Sequence, residues 1–191
     1  MPALEDSGTA AEQFDESVEV EEYMPQEGTE FFGSKTAARK ICYVVDGSGS
    51  MQGRLGMVQR QLGESIERLR PDQFFGIVVY RGDGLEVFDG ERLIRASRRG
   101  KKRARAFIES IRFAGPTDPV AGIRKALEMR DASGDRCGLI YFLSDGFDFG
   151  SEAGGGGDFL SEIKEIRRQY GGGVAINCIG LRVKPADGEI L

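Results

Sequence analysis

The chain of 191 residues contains no histidine. That absence removes Ser-His-Asp triads, Cys-His pairs, histidine general bases and every zinc motif built on imidazole. Cysteine is scarce: Cys42, Cys137 and Cys178 are the only three. They are odd in number and far apart, so neither a disulfide framework nor a CxxC metal site is available. Lying on or beside apolar strands, they are expected to be buried free thiols. No run of 18 apolar residues occurs, and the N-terminus has no basic stretch followed by an apolar one. Neither a transmembrane helix nor a signal peptide is expected in this sequence, and unpaired thiols suit a reducing compartment such as the cytoplasm.

Basic residues are missing from the first 30 positions, which hold ten acids and no Lys or Arg. The remaining positions carry 26 basic and 21 acidic groups, a net of +5 within a chain whose total is −5. Residues 1–30 therefore read as an acidic, disordered tail or linker, and residues 31–191 as one folded domain starting near Phe31-Phe32. A hydrophobic content of 40% and a charged content of 30% are ordinary for such a domain. Positive charge is concentrated between Arg92 and Arg105 (Arg92, Arg95, Arg98, Arg99, Lys101, Lys102, Arg103 and Arg105). This stretch reads first as a solvated helix face with its preceding loop. It is second a dock for the acidic tail or an acidic partner. Nucleic acid is not expected, because no aromatic side chain is interleaved for base stacking.

Apolar patterning then alternates between two periods. Ile41 to Val45, Phe74 to Tyr80, Leu139 to Leu143 and Val174 to Ile179 read as buried strands. Leu85 to Phe88, reached through the short turn Arg81–Gly84, reads as an antiparallel edge strand. Helices are expected over Met51–Leu69, Lys101–Phe113, from Pro119 behind an Asp118 cap, and over Phe159–Tyr170, with residues 146–157 a glycine-rich loop. The fold class is α/β: a Rossmann-like, doubly wound, mostly parallel sheet with helices on both faces. Ligands of such sheets bind beyond the carboxyl ends of the strands, where strand order reverses.

At those ends sit Asp46-Gly47-Ser48-Gly49-Ser50 after the first strand and Ser144-Asp145-Gly146 after the fourth. Between them comes the loop Gly115-Pro116-Thr117-Asp118. Two carboxylates and several hydroxyls on one rim, without nitrogen or sulfur donors, suit a hard cation: Mg²⁺, Mn²⁺ or Ca²⁺. Asp118, directly before Pro119, fits a helix cap better than a ligand.

Asp46-x-Ser48-x-Ser50, then Thr117, then Asp145 resembles the metal-ion-dependent adhesion site of von Willebrand factor type A domains. The flanking text on the first and fourth strands, CYVVDGSGSM and IYFLSDG, agrees, and the resemblance runs from about Lys40 to Leu181. It implies that Ser48 and Ser50 bind the cation directly, Asp46 and Asp145 directly or through water, and Thr117 directly in a ligand-competent state. Mg²⁺ or Mn²⁺ is then expected ahead of Ca²⁺. The last coordination position falls to water or to a Glu or Asp carboxylate of a partner protein. The family implies recognition rather than turnover. Its sheet has the order 3-2-1-4-5-6, whereas five strands are found here. The last helix and edge strand are therefore expected to be absent, and affinity switching through that helix with them.

Two other classes fit less well. A Mg²⁺-dependent phosphotransferase with Asp46 as nucleophile wants a second acid where Ser48 stands. A dinucleotide-binding domain would use Gly47-x-Gly49 as a phosphate loop, but Asp46 would then place a negative charge beside the pyrophosphate.

Overall fold

Ile41-Cys42-Tyr43-Val44-Val45 has no polar face to offer water, and a strand with this pattern is stable only between two layers. The computed structural model, which describes residues 29–90, 92–145, 156–170 and 172–181, puts it at the centre of a sheet. In chain order the elements begin with a hairpin of β1 (Thr29–Phe31) and β2 (Ser34–Thr36), followed by β3 (Lys40–Asp46). A 3₁₀ turn over Gly49–Arg54 runs into α1 (Leu55–Glu67). Then come β4 (Phe74–Arg81), β5 (Gly84–Val87), β6 (Ile94–Arg95), α2 (Arg98–Ser110), α3 (Pro119–Glu128), β7 (Leu139–Ser144), α4 (Gly156–Gln169) and β8 (Ala175–Gly180).

The main sheet runs β5-β4-β3-β7-β8, with β6 also on β4. β3 pairs in parallel with β4 and β7, and β7 with β8. β5 and β6 are both antiparallel to β4. Alternate residues of the central strands feed two cores. Tyr43, Val45, Val79, Tyr141 and Leu143 lie in one core with Leu62 of α1 and Ile108 of α2. Cys42, Val44, Tyr80, Ile140 and Phe142 share the other with Ile123 of α3 and Ile166 of α4. The doubly wound, mostly parallel α/β architecture expected from the sequence is the one found. No helix among the described residues is long and apolar enough to cross a membrane.

Several details differ from expectation. The helix predicted over Met51–Leu69 divides, because its first turn is wound as 3₁₀ and only Leu55–Glu67 is α-helical. The helix predicted over Lys101–Phe113 lies three residues earlier. Ser97 caps it by accepting from the Gly100 N–H, and Ile111 leaves in extended geometry so that Ile111 and Phe113 enter the core. The antiparallel edge has a second piece, β6, too short to show a period. The β1–β2 hairpin was not legible either. Its turn has two consecutive positive φ values, at Phe32 and Gly33, the geometry of a tight two-residue connection. It presents Phe31, whose ring meets Tyr43 at 5.0 Å and Tyr141 at 5.3 Å, edge to face. The thiols also do not share one environment: Cys42 and Cys137 are buried, but Cys178 is exposed. It stands on β8, which among the described residues pairs only with β7.

Two helical glycines give a paired test of how tightly α3 is seated. A Cβ on Gly122 would lie 2.9 Å from the buried Tyr80 ring, whereas one on Gly63 of α1 meets nothing within 4 Å. Gly122→Ala is expected to destabilise the fold by about 1–3 kcal/mol through overpacking. Gly63→Ala should stabilise it by about 0.5–1 kcal/mol through helix propensity. Urea unfolding of the two variants checks both signs.

Candidate functional site

Strand order reverses at β3, whose successor β4 lies on one side and whose other neighbour β7 on the other. Asp46 is the last residue of β3 and Asp145 follows the last residue of β7. Register places Asp46 opposite Tyr80 of β4, and pairs Val45 with Leu143 one step before Ser144. The two carboxylates therefore meet because β3 and β7 are adjacent and in register, at the crevice where parallel sheets bind ligands.

Asp46 is 1% exposed. Its Oδ1 accepts from the Ser48 backbone N–H at 2.9 Å, and its Oδ2 accepts from the Ser144 hydroxyl at 3.3 Å. Ser48, 4% exposed, has its hydroxyl 3.0 Å from that of Ser50. The Ser50 hydroxyl donates to Asp145 Oδ1 at 3.0 Å. Since Ser50 carries one hydroxyl hydrogen and gives it to Asp145, Ser48 must donate to Ser50. Ser48, Ser50 and Asp145 are thus linked oxygen to oxygen, and Asp46 joins them through the Ser48 backbone N–H. The turn that holds them is packed closely: a Cβ on Gly47 would lie 2.7 Å from Val79 Cγ1 and 3.2 Å from the Tyr80 carbonyl oxygen. Only glycine allows the chain to pass there without displacing β4.

Thr117 stands apart from this set. It is exposed, and its hydroxyl makes no hydrogen bond to any described residue. Its loop is nevertheless fixed beside the site by backbone bonds, with Gly49 N–H donating to the Gly115 carbonyl at 3.0 Å, Ala114 N–H to Gly47 at 2.8 Å and Gly82 N–H to Pro116 at 2.8 Å. Asp118 caps α3, accepting from Ala121 N–H at 3.1 Å, as its position before Pro119 implies. Three further residues complete the site: Ser144 and Tyr80, which the sequence places at strand ends bordering it, and Arg54, which the sequence does not point to. Ser144 bonds Asp46. Tyr80 stacks on Phe142 at 5.6 Å and donates to the Leu143 carbonyl at 3.4 Å. Arg54 closes the far side, with Nη1 3.6 Å from Asp145 Oδ2. Arg81, next to Tyr80, instead turns towards Asp83, Glu86 and the Arg112 carbonyl.

Burial pushes the Asp46 carboxyl above the usual carboxylate range, and the charge of Asp145 adds to the rise against the hydrogen bonds from Ser48 and Ser144. Burial, then the Asp46 charge, likewise raises the Tyr80 phenol. The donor set is small, neutral hydroxyls plus two carboxylates. Among the described residues no cluster holds three or more Cys, Asp or Glu in metal-binding proximity. The geometry is unfavourable for a phosphate cradle. The backbone N–H groups of Gly47, Ser48 and Gly49 are already given to the Tyr80 carbonyl, the Asp46 carboxylate and the Gly115 carbonyl, so they do not converge on an anion.

The raised Asp46 carboxyl has a definite sign for stability. An acid whose pKa rises on folding binds its proton more tightly in the folded state, so stability falls as pH climbs from the ordinary carboxylate value through the raised one. Asp46→Asn keeps an acceptor for the Ser48 N–H, turns the position facing Ser144 from an acceptor into an N–H donor towards that hydroxyl oxygen, and removes the buried charge. In EDTA it is expected to melt above wild type at pH 7, where the carboxyl would be ionised in the unfolded chain. The gain should vanish at pH values below the carboxylate range, which thermal melts across pH will show.

Residues 41–147 match a family model described as the von Willebrand factor type A domain. Heavy chain H1 of the inter-alpha-trypsin inhibitor of Bos taurus is 24% identical over 120 residues, 59% of this chain. The match spans 13% of the length of that curated relative. Among solved structures, a von Willebrand factor type A protein from Catenulispora acidiphila superposes with a TM-score of 0.60 at 17% identity, over 80% of this chain and 36% of that one. The PilB minor pilin from Streptococcus sanguinis gives a TM-score of 0.57 at 14% identity, over 78% of this chain and 52% of its own. At these identities the structural likeness is one of fold.

Proposed function

Because the chain belongs to the von Willebrand factor type A domain family, whose members generally mediate protein–protein interaction or adhesion, we propose that it is a metal-dependent binding module. In this proposal Asp46, Ser48, Ser50, Thr117 and Asp145 surround a divalent cation, Mg²⁺ or Mn²⁺ ahead of Ca²⁺. The partner is a protein that offers a Glu or Asp carboxylate. The supporting observation is the hydrogen-bonded set from Asp46, through the Ser48 backbone N–H and the Ser48 and Ser50 hydroxyls, to Asp145 at the point where strand order reverses. Oxygen-only donors are the chemistry that hard divalent ions select.

The roles follow from what each group carries. Asp46 is pre-oriented by the Ser48 N–H and the Ser144 hydroxyl. Ser48 and Ser50 are neutral donors, so they hold a cation without cancelling its charge. Asp145 already shares a hydrogen with Ser50, and Thr117 sits on a loop fastened to Gly49 and Gly82. A bound cation would supply an electrophilic position that an incoming carboxylate can take. With no acid beside Asp46 at position 48 and no histidine in the chain, recognition rather than turnover is the better account.

Titration with Mg²⁺ and Mn²⁺ by calorimetry and thermal melt, against Asp46→Ala and an EDTA control, tests this. A ligand that binds only the folded state stabilises it by RT ln(1 + [L]/Kd), about 2.7 kcal/mol at a hundredfold excess over Kd. For a domain of this size that raises the melting temperature by roughly 5–10 °C. Saturable binding lost in Asp46→Ala is the expected result, and absence of binding in wild type would contradict the proposal.

A second contact is proposed for the acidic segment, which lies outside the described residues up to position 28. Much of the basic stretch is already engaged within the fold. Arg103 pairs with Asp89, Arg105 with Glu67 at 2.9 Å, and Lys101 donates to the Glu67 and Leu69 carbonyls at 2.6 Å, a cation at the end of α1. Arg98, Arg99 and Lys102 have no ion-pair partner among the described residues and are the positions left for docking. Glu30 lies 3.9 Å from Arg68 near the end of α1, so the acidic segment joins the fold on this side. Removal of residues 1–28 is expected to lower the melting temperature at low salt and to change it little at 0.5 M salt, where surface pairs are screened. An equal melting temperature at low salt would dismiss the contact.

A further inference from the structure

Asp145 is held from two sides. Its Oδ1 accepts from Ser50 at 3.0 Å, and its Oδ2 faces the Arg54 guanidinium at 3.6 Å. Both side chains are largely withdrawn from water, Arg54 being 17% and Asp145 10% exposed. Their attraction is therefore screened far less than that of an open surface pair. Arg54 closes the same 3₁₀ turn that carries Ser50, so its position is coupled to that of a proposed cation-binding hydroxyl. A guanidinium does not lose its proton in a protein, so the charge it brings is permanent.

The rim holds two carboxylates on the adjacent, in-register strands β3 and β7, and Arg54 is the cation that faces Asp145. We propose that Arg54 is a tethered counter-ion of this site, which balances Asp145 when no metal is present and competes with the divalent cation for it. This rests on the metal-binding proposal above. Its consequence is regulatory. Metal entry requires the guanidinium to move off Asp145 Oδ2, so Arg54 holds the affinity for cations below what the oxygen donors alone would give. Competition of this kind depends on charge and reach, not on a particular partner.

Mn²⁺ affinity measured by electron paramagnetic resonance on wild type, Arg54→Met and Arg54→Lys tests the assignment. Met keeps most of the packing of the stem without the charge, and Lys keeps the charge. Arg54→Met is expected to bind Mn²⁺ about three- to thirtyfold more tightly than wild type, with Arg54→Lys close to wild type. In EDTA, Arg54→Met should also melt below wild type, because the carboxylates lose their counter-charge, while its melting temperature should rise further on Mn²⁺ addition. This second readout separates loss of a counter-ion from general damage to the turn, which would lower both melting temperatures and the affinity. Equal or weaker Mn²⁺ binding by Arg54→Met, with wild type binding, overturns the Arg54 assignment and leaves the metal proposal standing. No Mn²⁺ binding by any of the three proteins overturns the metal proposal and this one with it.

Discussion

A carboxylate buried at the end of a strand that is itself buried on both faces is the constraint around which this structure is arranged. Asp46 cannot be solvated by water where it sits, so the protein supplies its hydrogen bonds: one from the backbone at Ser48 and one from the Ser144 hydroxyl. The first requires the chain to turn back immediately after β3, which requires Gly47 to pass against Val79 and the Tyr80 carbonyl. The second requires β7 to be the neighbour of β3, with Val45 opposite Leu143. Strand order, register and loop conformation are thus all conditions for keeping one charged group in place.

The same constraint explains why the site is made of oxygen and little else. A tight turn with small residues at alternate positions places the Ser48 and Ser50 hydroxyls within 3.0 Å of each other and passes the chain of donors on to Asp145. The two carboxylates repel, and burial amplifies the repulsion. A positive charge relieves it, whether a divalent ion or the guanidinium of Arg54. Family membership is established by the match over residues 41–147, and the fold likeness to the von Willebrand factor type A protein from Catenulispora acidiphila agrees with it. The cation is a proposal supported by the chemistry of the donor atoms.

Much of this was legible in the chain because the signals are local. Ile41 to Val45 and Leu139 to Leu143 are uninterrupted apolar runs, and α3 announces itself by Asp118 followed by Pro119. The spacing of Asp46, Ser48 and Ser50 lies within one turn, so it survives without knowledge of the fold. What was missed depends on distance along the chain. β6 is two residues held in place by β4, and the β1–β2 hairpin is stabilised by where Phe31 lands, between Tyr43 and Tyr141. Apolar periodicity alone places the start of α2 at Lys101, three residues late, because its charged first turn hides the Ser97 cap. Ser144 is legible as a strand-end hydroxyl, but its bond to Asp46 depends on register, and Arg54 reaches the site only through the 3₁₀ turn, which leaves no mark in local spacing. Exposure of Cys178 follows from β8 being an edge among the described strands, a property of sheet order that an apolar neighbourhood in sequence does not reveal.

The most direct test is anomalous diffraction from a crystal grown with Mn²⁺, which locates the ion without reference to any partner. The account predicts a single strong peak between the carboxyl ends of β3 and β7, within coordination distance of the Ser48 and Ser50 hydroxyls, with the Arg54 guanidinium moved off Asp145. A peak elsewhere on the molecule, or none at saturating Mn²⁺, would contradict it.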